Sequence, residues 1–377
     1  MGIGDKIKEI EDEMARTQKN KATEYHWGQM KARLAKLKTM QDEAATKKGP
    51  KGEGFDVEKN GHARVVMIGF PSVGKSSILN QLCNTESEAA AYEFTTLTCI
   101  PGVLYINDAK MQLLDLPGII EGAADGKGRG RQVIAVGKSA DLILMVLDCQ
   151  KGPAQRAKLT SELEYVGIRL NKEKPDIRIW PQKTGGIQFN ATCKLTKIDK
   201  KMVTNIMHEY KLHNAHVTFR GDYDVDELID VIEGNRKYIK CLYVYNKIDT
   251  ISIEEVDEIS QEPLNACISI HMELGLDILL QKIWKALGMV RIYTKRRGEA
   301  PDFTDPIILT KGRGGLTIYH AILQIHKSLL DDFASAHVWG KSCKFSPMRC
   351  GLQHQLCDED VLQAIKKVSK TNRDPVT

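Results

Sequence analysis

The sequence has no long apolar run, since none approaches the roughly 18 residues that a membrane-spanning helix needs. Its first residues, MGIGDKIKEIEDEM, lack the apolar stretch of a secretory leader, and Gly2 is not followed by the Ser or Thr of a myristoylation site. The nine cysteines are odd in number, scattered and without a CxxC pair, so a disulfide framework is not expected. These absences favour a cytoplasmic protein without a membrane span, in a reducing compartment.

Neither sign of charge dominates the 377 residues, because 54 Lys and Arg stand against 49 Asp and Glu, a formal net charge of +5. Hydrophobic residues make up 42% and charged residues 27%, which excludes a wholly disordered or fibrous chain. At roughly 100–200 residues per domain, the length predicts two or three domains.

The first 62 residues are predicted to form a helical hairpin over 1–46 and a Gly- and Lys-rich linker over 47–62. A run of cations faces a single acid, Glu24, between residues 16 and 38. These cations are Arg16, Lys19, Lys21, Lys31, Arg33, Lys36 and Lys38. They have two interpretations, a solvated helix face or a contact with RNA, since phosphate neutralisation needs clustered positive charge.

Over 63–290, short β-branched or apolar runs alternate with helical stretches, which predicts a doubly wound α/β domain with a mostly parallel sheet. The interval between Asp148 and Cys241 is far longer than a crossover helix requires. An α/β subdomain is therefore expected as an insertion at 165–238. A compact α+β module is expected at 291–370, with one amphipathic helix over 316–333.

The sequence GFPSVGKS at 69–76 follows an apolar strand and precedes a helical stretch, which is the setting of a P-loop. Glycine lets the backbone wrap a phosphate chain with its N–H groups pointing inward, and a helix N-terminus adds a favourable potential for anions. In this motif Lys75 neutralises the β and γ phosphate oxygens, and the hydroxyl of Ser76 binds Mg²⁺.

DLPG at 115–118 follows the next apolar strand, about 40 residues beyond the P-loop. It predicts that Asp115 holds Mg²⁺ through water and that the N–H of Gly118 contacts the γ-phosphate. YEFTTLT at 92–98 offers several threonines that could bind the metal when the γ-phosphate is present, and position alone does not choose among them.

NKID at 246–249 ends another apolar strand and predicts a guanine site. The carboxylate of Asp249 can accept hydrogen bonds from guanine N1–H and its 2-amino group, and adenine would leave it unpaired. Asn246 is expected to hold the guanine edge and the P-loop, with the Lys247 stem covering the ring. The backbone N–H groups of Ser269 and Ile270 could reach guanine O6, which is a weaker prediction.

Six segments resemble the developmentally regulated GTP-binding proteins, a eukaryotic and archaeal branch of the Obg-like GTPases. They are ARTQKNKAT (15–23), GEGFDV (52–57), GFPSVGKSS (69–77), AAYEFTTLTCIPGV (90–103), LLDLPGIIEGAADGKGRGRQVIAV (113–136) and GNRKYI (234–239). The resemblance covers almost the whole chain, and HNAHVTFR and RIYTK favour the first of two eukaryotic paralogue groups.

The tryptophans Trp180, Trp284 and Trp339 are expected to anchor cores.

The resemblance implies a P-loop GTPase domain with an inserted α/β subdomain, an N-terminal helical hairpin and a C-terminal TGS domain of ubiquitin-like β-grasp fold. It implies Mg²⁺ at Ser76 and Thr96, and catalysis by Lys75, Thr96 and Gly118. It also implies association with ribosomes and ribosomal RNA, and a zinc-finger regulatory partner. The expected nucleotide-binding residues are Phe70, Pro71, Ser72, Val73, Gly74, Lys75, Ser76, Ser77, Asp115, Gly118, Asn246, Lys247, Asp249, Ser269 and Ile270.

Ile119 stands where Ras-type GTPases carry the Gln that orients the attacking water, so slow intrinsic GTP hydrolysis is expected. Some GTPases with this substitution use K⁺ near the P-loop, aided by an Asn where this chain has Ser72, which makes activation by K⁺ a hypothesis. The leading prediction is a GTPase switch on translating ribosomes. Two alternatives stay open: an RNA-binding scaffold whose nucleotide only sets its shape, and a ribosome-assembly GTPase.

Overall fold

The structure is a computed structural model that describes residues 3–18, 20, 23–48, 61–83, 100–116, 136–312 and 314–367. Its contacts divide the chain into two units, one combining 1–56 with 167–238 and the other combining 57–166 with 239–377. The strands are β1 (Ala63–Gly69), β2 (Ile100–Ile106), β3 (Ala109–Asp115), β4 (Leu142–Asp148), β5 (Ile168–Leu170), β6 (Ile177–Pro181), β7 (Ile187–Ala191), β8 (Ala215–Phe219), β9 (Lys237–Asn246), β10 (Asn265–Cys267), β11 (Met289–Lys295), β12 (Pro301–Thr310), β13 (Phe333–Trp339), β14 (Met348–Cys350) and β15 (Asp360–Lys366).

The helices are α1 (Ile3–Arg16), α2 (Glu24–Lys48), α3 (Lys75–Leu82), α4 (Gly152–Tyr165), α5 (Lys200–Glu209), α6 (Val225–Glu233), α7 (Ile253–Ser260), α8 (Leu276–Leu287), α9 (Ile318–Ile325) and α10 (Ser328–Asp331). No helix within the described ranges is both long enough and apolar enough to cross a membrane.

The first unit combines the N-terminal hairpin with a small α/β layer. Its sheet has the order β6-β8-β7, and α5 begins where the Asp199 carboxylate accepts a hydrogen bond from the Met202 N–H at 2.8 Å. Ala32 of α2 is fully buried in one core with Val203 and Leu228, so the long hairpin helix covers α5 and α6. This burial explains why α2 is stable despite its polar sequence, because tertiary packing outweighs helix propensity.

Four of the hairpin cations have partners inside the same unit. Lys31 lies 2.6 Å from the Asp226 carboxylate and Arg33 lies 3.2 Å from that of Glu209. Lys36 donates to the Glu209 carbonyl at 2.7 Å, and Lys38 lies 3.1 Å from Glu11. Lys19 and Lys21 lie outside the described residues. Carboxylates thus balance the charges of Lys31, Arg33 and Lys38, whereas the partner of Lys36 is neutral. Balanced charges attract phosphate weakly, so this helix is a poorer RNA-binding candidate than the sequence suggests.

The large sheet of the second unit has the strand order β10-β9-β4-β1-β3-β2, with every neighbouring pair parallel except β2 and β3. Val244 points to the face covered by α3 and α8, where Ile78 and Leu279 are buried in the same core. Tyr245 points to the opposite face, where α4 approaches so closely that a Cβ on Gly152 would lie 2.5 Å from its ring. Helices thus cover both faces, which confirms the predicted doubly wound fold.

The C-terminal part of the second unit has the sheet order β12-β11-β15-β13-β14. β11 and β15 run parallel in its centre, β11 and β12 are antiparallel, and α9 packs on one face through Ile318 and Ile322. This is the β-grasp arrangement expected from the resemblance. The predicted single helix over 316–333 is instead two helices, because His326 is extended and its ring nitrogen bonds the Ser328 hydroxyl at 2.6 Å.

The three tryptophans expected in cores differ in burial. Trp284 packs against the core of the large sheet, and Trp339 is partly buried with the Lys295 ammonium 5.0 Å from its ring. Trp180 is 47% exposed on β6, so the prediction for this residue is wrong. Its ring projects from the face of the three-stranded sheet that α5 and α6 do not cover.

Candidate active site

The turn between β1 and α3 is built for close contact with an anion. Gly74 has φ of 95°, and a Cβ at this position would lie 2.4 Å from the side-chain nitrogen of Asn246. At Gly69 a Cβ would lie 2.4 Å from the Val146 carbonyl oxygen. Only glycine fits both places, and the tight turn that results presents backbone N–H groups at the start of α3.

Lys75 is the first residue of α3 and is only 9% exposed. Its ammonium donates hydrogen bonds to the carbonyl oxygens of Gly69 and Phe70, both at 3.0 Å. Burial lowers the pKa of Lys75, and the nearby Asp115 carboxylate acts in the opposite direction. Both hydrogen-bond partners are neutral, so the positive charge remains to attract a phosphate in the turn.

Asp115 ends β3 and is 5% exposed. One of its carboxylate oxygens accepts a hydrogen bond from the Ser76 hydroxyl at 2.8 Å, while the other, Oδ1, is buried and has no hydrogen-bond partner among the residues that the structure describes. A buried unpartnered carboxylate oxygen is costly unless a ligand completes it. Because Mg²⁺ prefers oxygen ligands, the Ser76 and Asp115 pair fits this metal.

Asn246 ends β9 and joins the phosphate turn to the loop after β10. Its side-chain amide donates to the Val73 carbonyl at 2.8 Å, and its oxygen accepts from the Ile270 N–H at 3.4 Å. Asn246 is 4% exposed, so both contacts lie in a protected position. The side chain therefore couples the shape of the phosphate turn to the purine side of the site.

Asp148 is a residue of this site to which the sequence analysis assigned no function. Lys247, with φ of 67°, directs its ammonium to the Asp148 carboxylate at 2.7 Å. Burial alone would raise the pKa of Asp148, but hydrogen bonds from Lys247 and from the Gln150 N–H outweigh it and lower the pKa. Its position at the end of a strand could have identified Asp148 from the sequence, because parallel strands that end in Asp148 and Asn246 meet at one sheet edge.

Asp249 is exposed and accepts a hydrogen bond from the Ser269 hydroxyl at 2.6 Å. This hydrogen bond is the main cause that lowers the pKa of Asp249 and keeps it ionised. The Ser269 N–H donates to the Leu274 carbonyl at 3.1 Å, so it is engaged within the protein. Ser269 thus reaches the site through its hydroxyl, whereas the sequence suggested a backbone contact with guanine O6.

The structure describes some of the remaining expected residues and leaves others undescribed. The turn residues Pro71 and Ser72 are exposed, and Ser72 has φ of 64°. Thr96, Gly118 and Ile119 lie outside the described residues. The described part of the site therefore contains the phosphate turn, the Ser76 and Asp115 pair and the purine side, all at the carboxyl ends of the parallel strands.

Family models match most of the chain. The family described as "50S ribosome-binding GTPase" matches residues 64–180, and the "C-terminal region of MMR_HSR1 domain" matches residues 184–289. The TGS domain family matches residues 290–366, which contain the five-stranded β-grasp sheet.

Full-length relatives extend this assignment. The chain is 59% identical to Developmentally-regulated GTP-binding protein 2 of Homo sapiens over 367 residues, covering 97% of this chain and 100% of the relative. It is 58% identical to Developmentally-regulated G-protein 2 and to Developmentally-regulated G-protein 1 of Arabidopsis thaliana, covering 97% of this chain and 92% of each relative. The chain belongs to the developmentally regulated GTP-binding protein family.

The names of the relatives do not assign this GTPase to one paralogue group. The human relative carries the number 2 and the Arabidopsis pair carries both numbers, so membership of the first paralogue group stays a prediction. Among solved structures, the chain matches Era of Aquifex aeolicus at 19% identity with a TM-score of 0.31, covering 73% of this chain and 71% of that one.

As a GTPase of the Obg type, this protein binds GTP and hydrolyses it. The geometry offers two sides for this work. The sequence prediction assigns the phosphates to the Gly74 turn and Lys75 and assigns guanine to Asp249. The tight turn, the buried ammonium and the ionised carboxylate have the chemistry that these roles require. Asn246 keeps the two sides in register, because it is bonded to both.

Proposed function

We propose that this GTPase is a Mg²⁺-dependent switch that associates with translating ribosomes. The observation that carries the proposal is the buried oxygen of Asp115 beside the Ser76 hydroxyl, which has no hydrogen-bond partner in the described part of the chain and could bind a cation next to the phosphate turn. Support for the ribosome as partner comes from the matched family over residues 64–180, whose description names a ribosome-binding GTPase. The zinc-finger partner rests on the resemblance and the cytoplasmic location rests on the sequence features described above, and both stay predictions.

Ser76, Asp115 through water, and Thr96 would hold the metal. When bound there, Mg²⁺ would supply charge neutralisation to the phosphates. Lys75 adds a second positive charge, and the start of α3 directs further N–H groups toward the same anion. Exchange of GDP for GTP adds the γ-phosphate, which Gly118 and Thr96 are proposed to sense. Those two residues would couple the nucleotide state to the surface of the protein.

Ribosome sedimentation tests the switch. Protein loaded with GDP, GTP or a non-hydrolysable GTP analogue is centrifuged with purified ribosomes through a sucrose cushion. We expect the analogue to retain the most protein in the pellet and GDP the least. Equal pelleting in all three states would contradict a switch and would favour the scaffold alternative. Pelleting with large-subunit precursors, and not with mature ribosomes, would favour a role in assembly.

Steady-state hydrolysis separates an enzyme with slow turnover from a scaffold with none. We propose slow multiple turnover of GTP, because the hydrocarbon side chain of Ile119 cannot orient the attacking water. Turnover measured in KCl and in NaCl at equal ionic strength tests activation by K⁺. Equal rates in the two salts would end that hypothesis and leave the slow basal reaction unaffected.

A further inference from the structure

Within the described ranges, the three-stranded sheet of the first unit has one covered face and one open face. On β8 the side chains of Ala215, Val217 and Phe219 are fully buried in the core that includes α5 and α6. His216 and Thr218, which alternate with them, are partly exposed. Because successive strand residues point to opposite faces, the sheet presents a second, separate set of side chains to solvent.

Strand register orders the open face into two rows. His216 lies opposite Trp180 on one side and opposite Gln188 on the other. Thr218 lies opposite Arg178 and Asn190 in the same way. The open face therefore comprises Trp180, His216 and Gln188 in one row and Arg178, Thr218 and Asn190 in the next. None of these six residues is acidic and none is aliphatic.

Trp180 is the residue of the open face that most needs an explanation. It is 47% exposed, and its ring centroid lies 5.5 Å from that of His216 with the planes tilted by 36°. The Nε2 atom of His216 lies 3.0 Å from the Asn190 side-chain nitrogen, and this contact orients the imidazole. A large apolar ring is left in water next to polar hydrogen-bonding groups, which suits stacking on a planar ligand better than it suits a core.

The segment that contains β6 and β7 is rich in positive charge. Between residues 172 and 197 the chain has six Lys or Arg and two acids. One of the acids, Asp176, is shared by Arg178 at 3.5 Å and Arg220 at 3.3 Å, and all three side chains are about half exposed. One carboxylate cannot neutralise two guanidinium groups, so these three side chains together keep a net positive charge. An anionic partner is therefore favoured.

From this arrangement we infer that the open face binds single-stranded RNA. Trp180 stacks on an unpaired base, His216 and the two amides contact base edges and the ribose 2′-hydroxyl, and Arg178 contacts a phosphate. A protein-binding face would be expected to have several apolar side chains at its centre, whereas Trp180 is the one large apolar side chain among these six. The inference deepens the proposed function and rests on it only for the source of the RNA, the ribosome.

Fluorescence anisotropy with a fluorescein-labelled RNA of ten nucleotides and mixed sequence tests this inference, using the full chain loaded with GDP. We expect Trp180→Ala to weaken binding about 5- to 150-fold, the range of a lost base–aromatic stack. Trp180→Phe should restore most of the affinity. Phe345→Ala, which removes a 65% exposed ring from the other unit, is the matched control and should bind like the wild type.

The salt dependence of RNA affinity provides a second readout. General instability of a variant would not change this dependence in the way that loss of one phosphate contact does. Arg178→Gln should reduce the slope of log affinity against log salt by about 0.7, the value for one phosphate contact on a single strand. The same oligonucleotide as DNA should bind more weakly than the RNA. Equal affinity of wild type and Trp180→Ala, an unchanged slope for Arg178→Gln, or an equal loss with Phe345→Ala would overturn the inference.

The inference and the proposed function can fail separately. If the protein pellets with ribosomes but Trp180→Ala leaves RNA affinity unchanged, the RNA-binding face is refuted and the ribosomal switch stands. If Trp180→Ala weakens RNA binding but the protein does not pellet with ribosomes in any nucleotide state, the face stands and the switch is refuted. GTP hydrolysis by Trp180→Ala should equal that of the wild type, since Trp180 and the nucleotide site belong to different units.

Discussion

The Asp148 carboxylate lies 2.7 Å from the Lys247 ammonium and joins the ends of two neighbouring parallel strands at the purine site. Asp148 is opposite Asn246 in the register of β4 and β9, so the ion pair lies one residue beyond the last paired position. The side chain of Lys247 is 41% exposed and that of Asp148 is 18% exposed. The contact restrains the lysine stem that would cover a guanine ring.

Asp148→Asn should weaken GDP binding about two- to fivefold. The substitution keeps the shape of the side chain and removes the charge that orients Lys247. An ion pair with one half-exposed partner contributes about 0.5–1 kcal/mol, which sets this modest effect. Stopped-flow dissociation of a fluorescent GDP analogue measures it, and we expect faster release. Glu258→Gln on α7 removes an exposed charge as a control, and equal release rates for wild type and Asp148→Asn would contradict the prediction.

The same ion pair predicts a direction for pH dependence. The pKa of Asp148 is lowered in the folded protein, so its contribution is complete above the ordinary Asp pKa of about 3.9. It is lost only as the pH falls through the lowered value. The difference in GDP affinity between wild type and Asp148→Asn should therefore stay constant from pH 6 to pH 8. A difference that disappears within this interval would show that another group controls Lys247.

Asp249→Asn should exchange guanine for xanthine as the preferred base. The carboxylate accepts two hydrogen bonds from guanine, and charge-assisted bonds of this kind contribute roughly 1.5–3 kcal/mol each. Guanine affinity should fall at least about 100-fold, while xanthosine diphosphate, which has a carbonyl in place of the 2-amino group, should gain affinity. Calorimetry with GDP, XDP and ADP tests this, with Asp257→Asn on α7 as the control. Unchanged selectivity would remove the basis for guanine recognition.

The local structure that the sequence predicts correctly around the site is set by local backbone rules. A glycine-rich turn between an apolar strand and a helix has few alternatives, and the doubly wound sheet follows from alternating strands and helices. Gly74 shows this clearly, because its positive φ is required by the turn itself. The fold class could be predicted from the sequence for the same reason.

The features that the sequence misses depend on contacts between distant segments. Asp148 and Lys247 are 99 residues apart and meet only because β4 and β9 pair in one register. The Ser269 N–H is taken by Leu274, a consequence of the tight turn after β10. Trp180 lies on β6, a strand that the sequence analysis did not predict, so the face of the sheet on which this side chain lies could not be assigned. Hydrophobic character alone suggested a core position.

Gly74→Ala should abolish nucleotide binding, whereas Gly234→Ala should only lower stability. Both glycines have positive φ, 95° and 66°, so alanine at either position introduces left-handed strain of roughly 1–2 kcal/mol. At Gly234 no heavy atom of the described residues lies within 4 Å of a Cβ, but at Gly74 the Cβ would collide with the side chain of Asn246. Thermal unfolding and GDP titration of both variants separate strain from collision, and equal GDP affinity for the two would contradict this explanation.

Alkylation of Cys149 should report on opening of the purine side, because this residue directly follows Asp148 and is 7% exposed. Burial raises the pKa of Cys149 to about 12, as it does for the fully buried Cys241, and only the thiolate reacts. At pH 8 iodoacetamide should label the exposed Cys193 first and leave these two unmodified in the folded protein. Mass spectrometry of peptides measures each site, and denatured protein serves as the control in which all three react. Asp148→Asn should accelerate the labelling of Cys149 and not that of Cys241. Equal acceleration at both would indicate general unfolding and would contradict a local role for the Asp148–Lys247 ion pair.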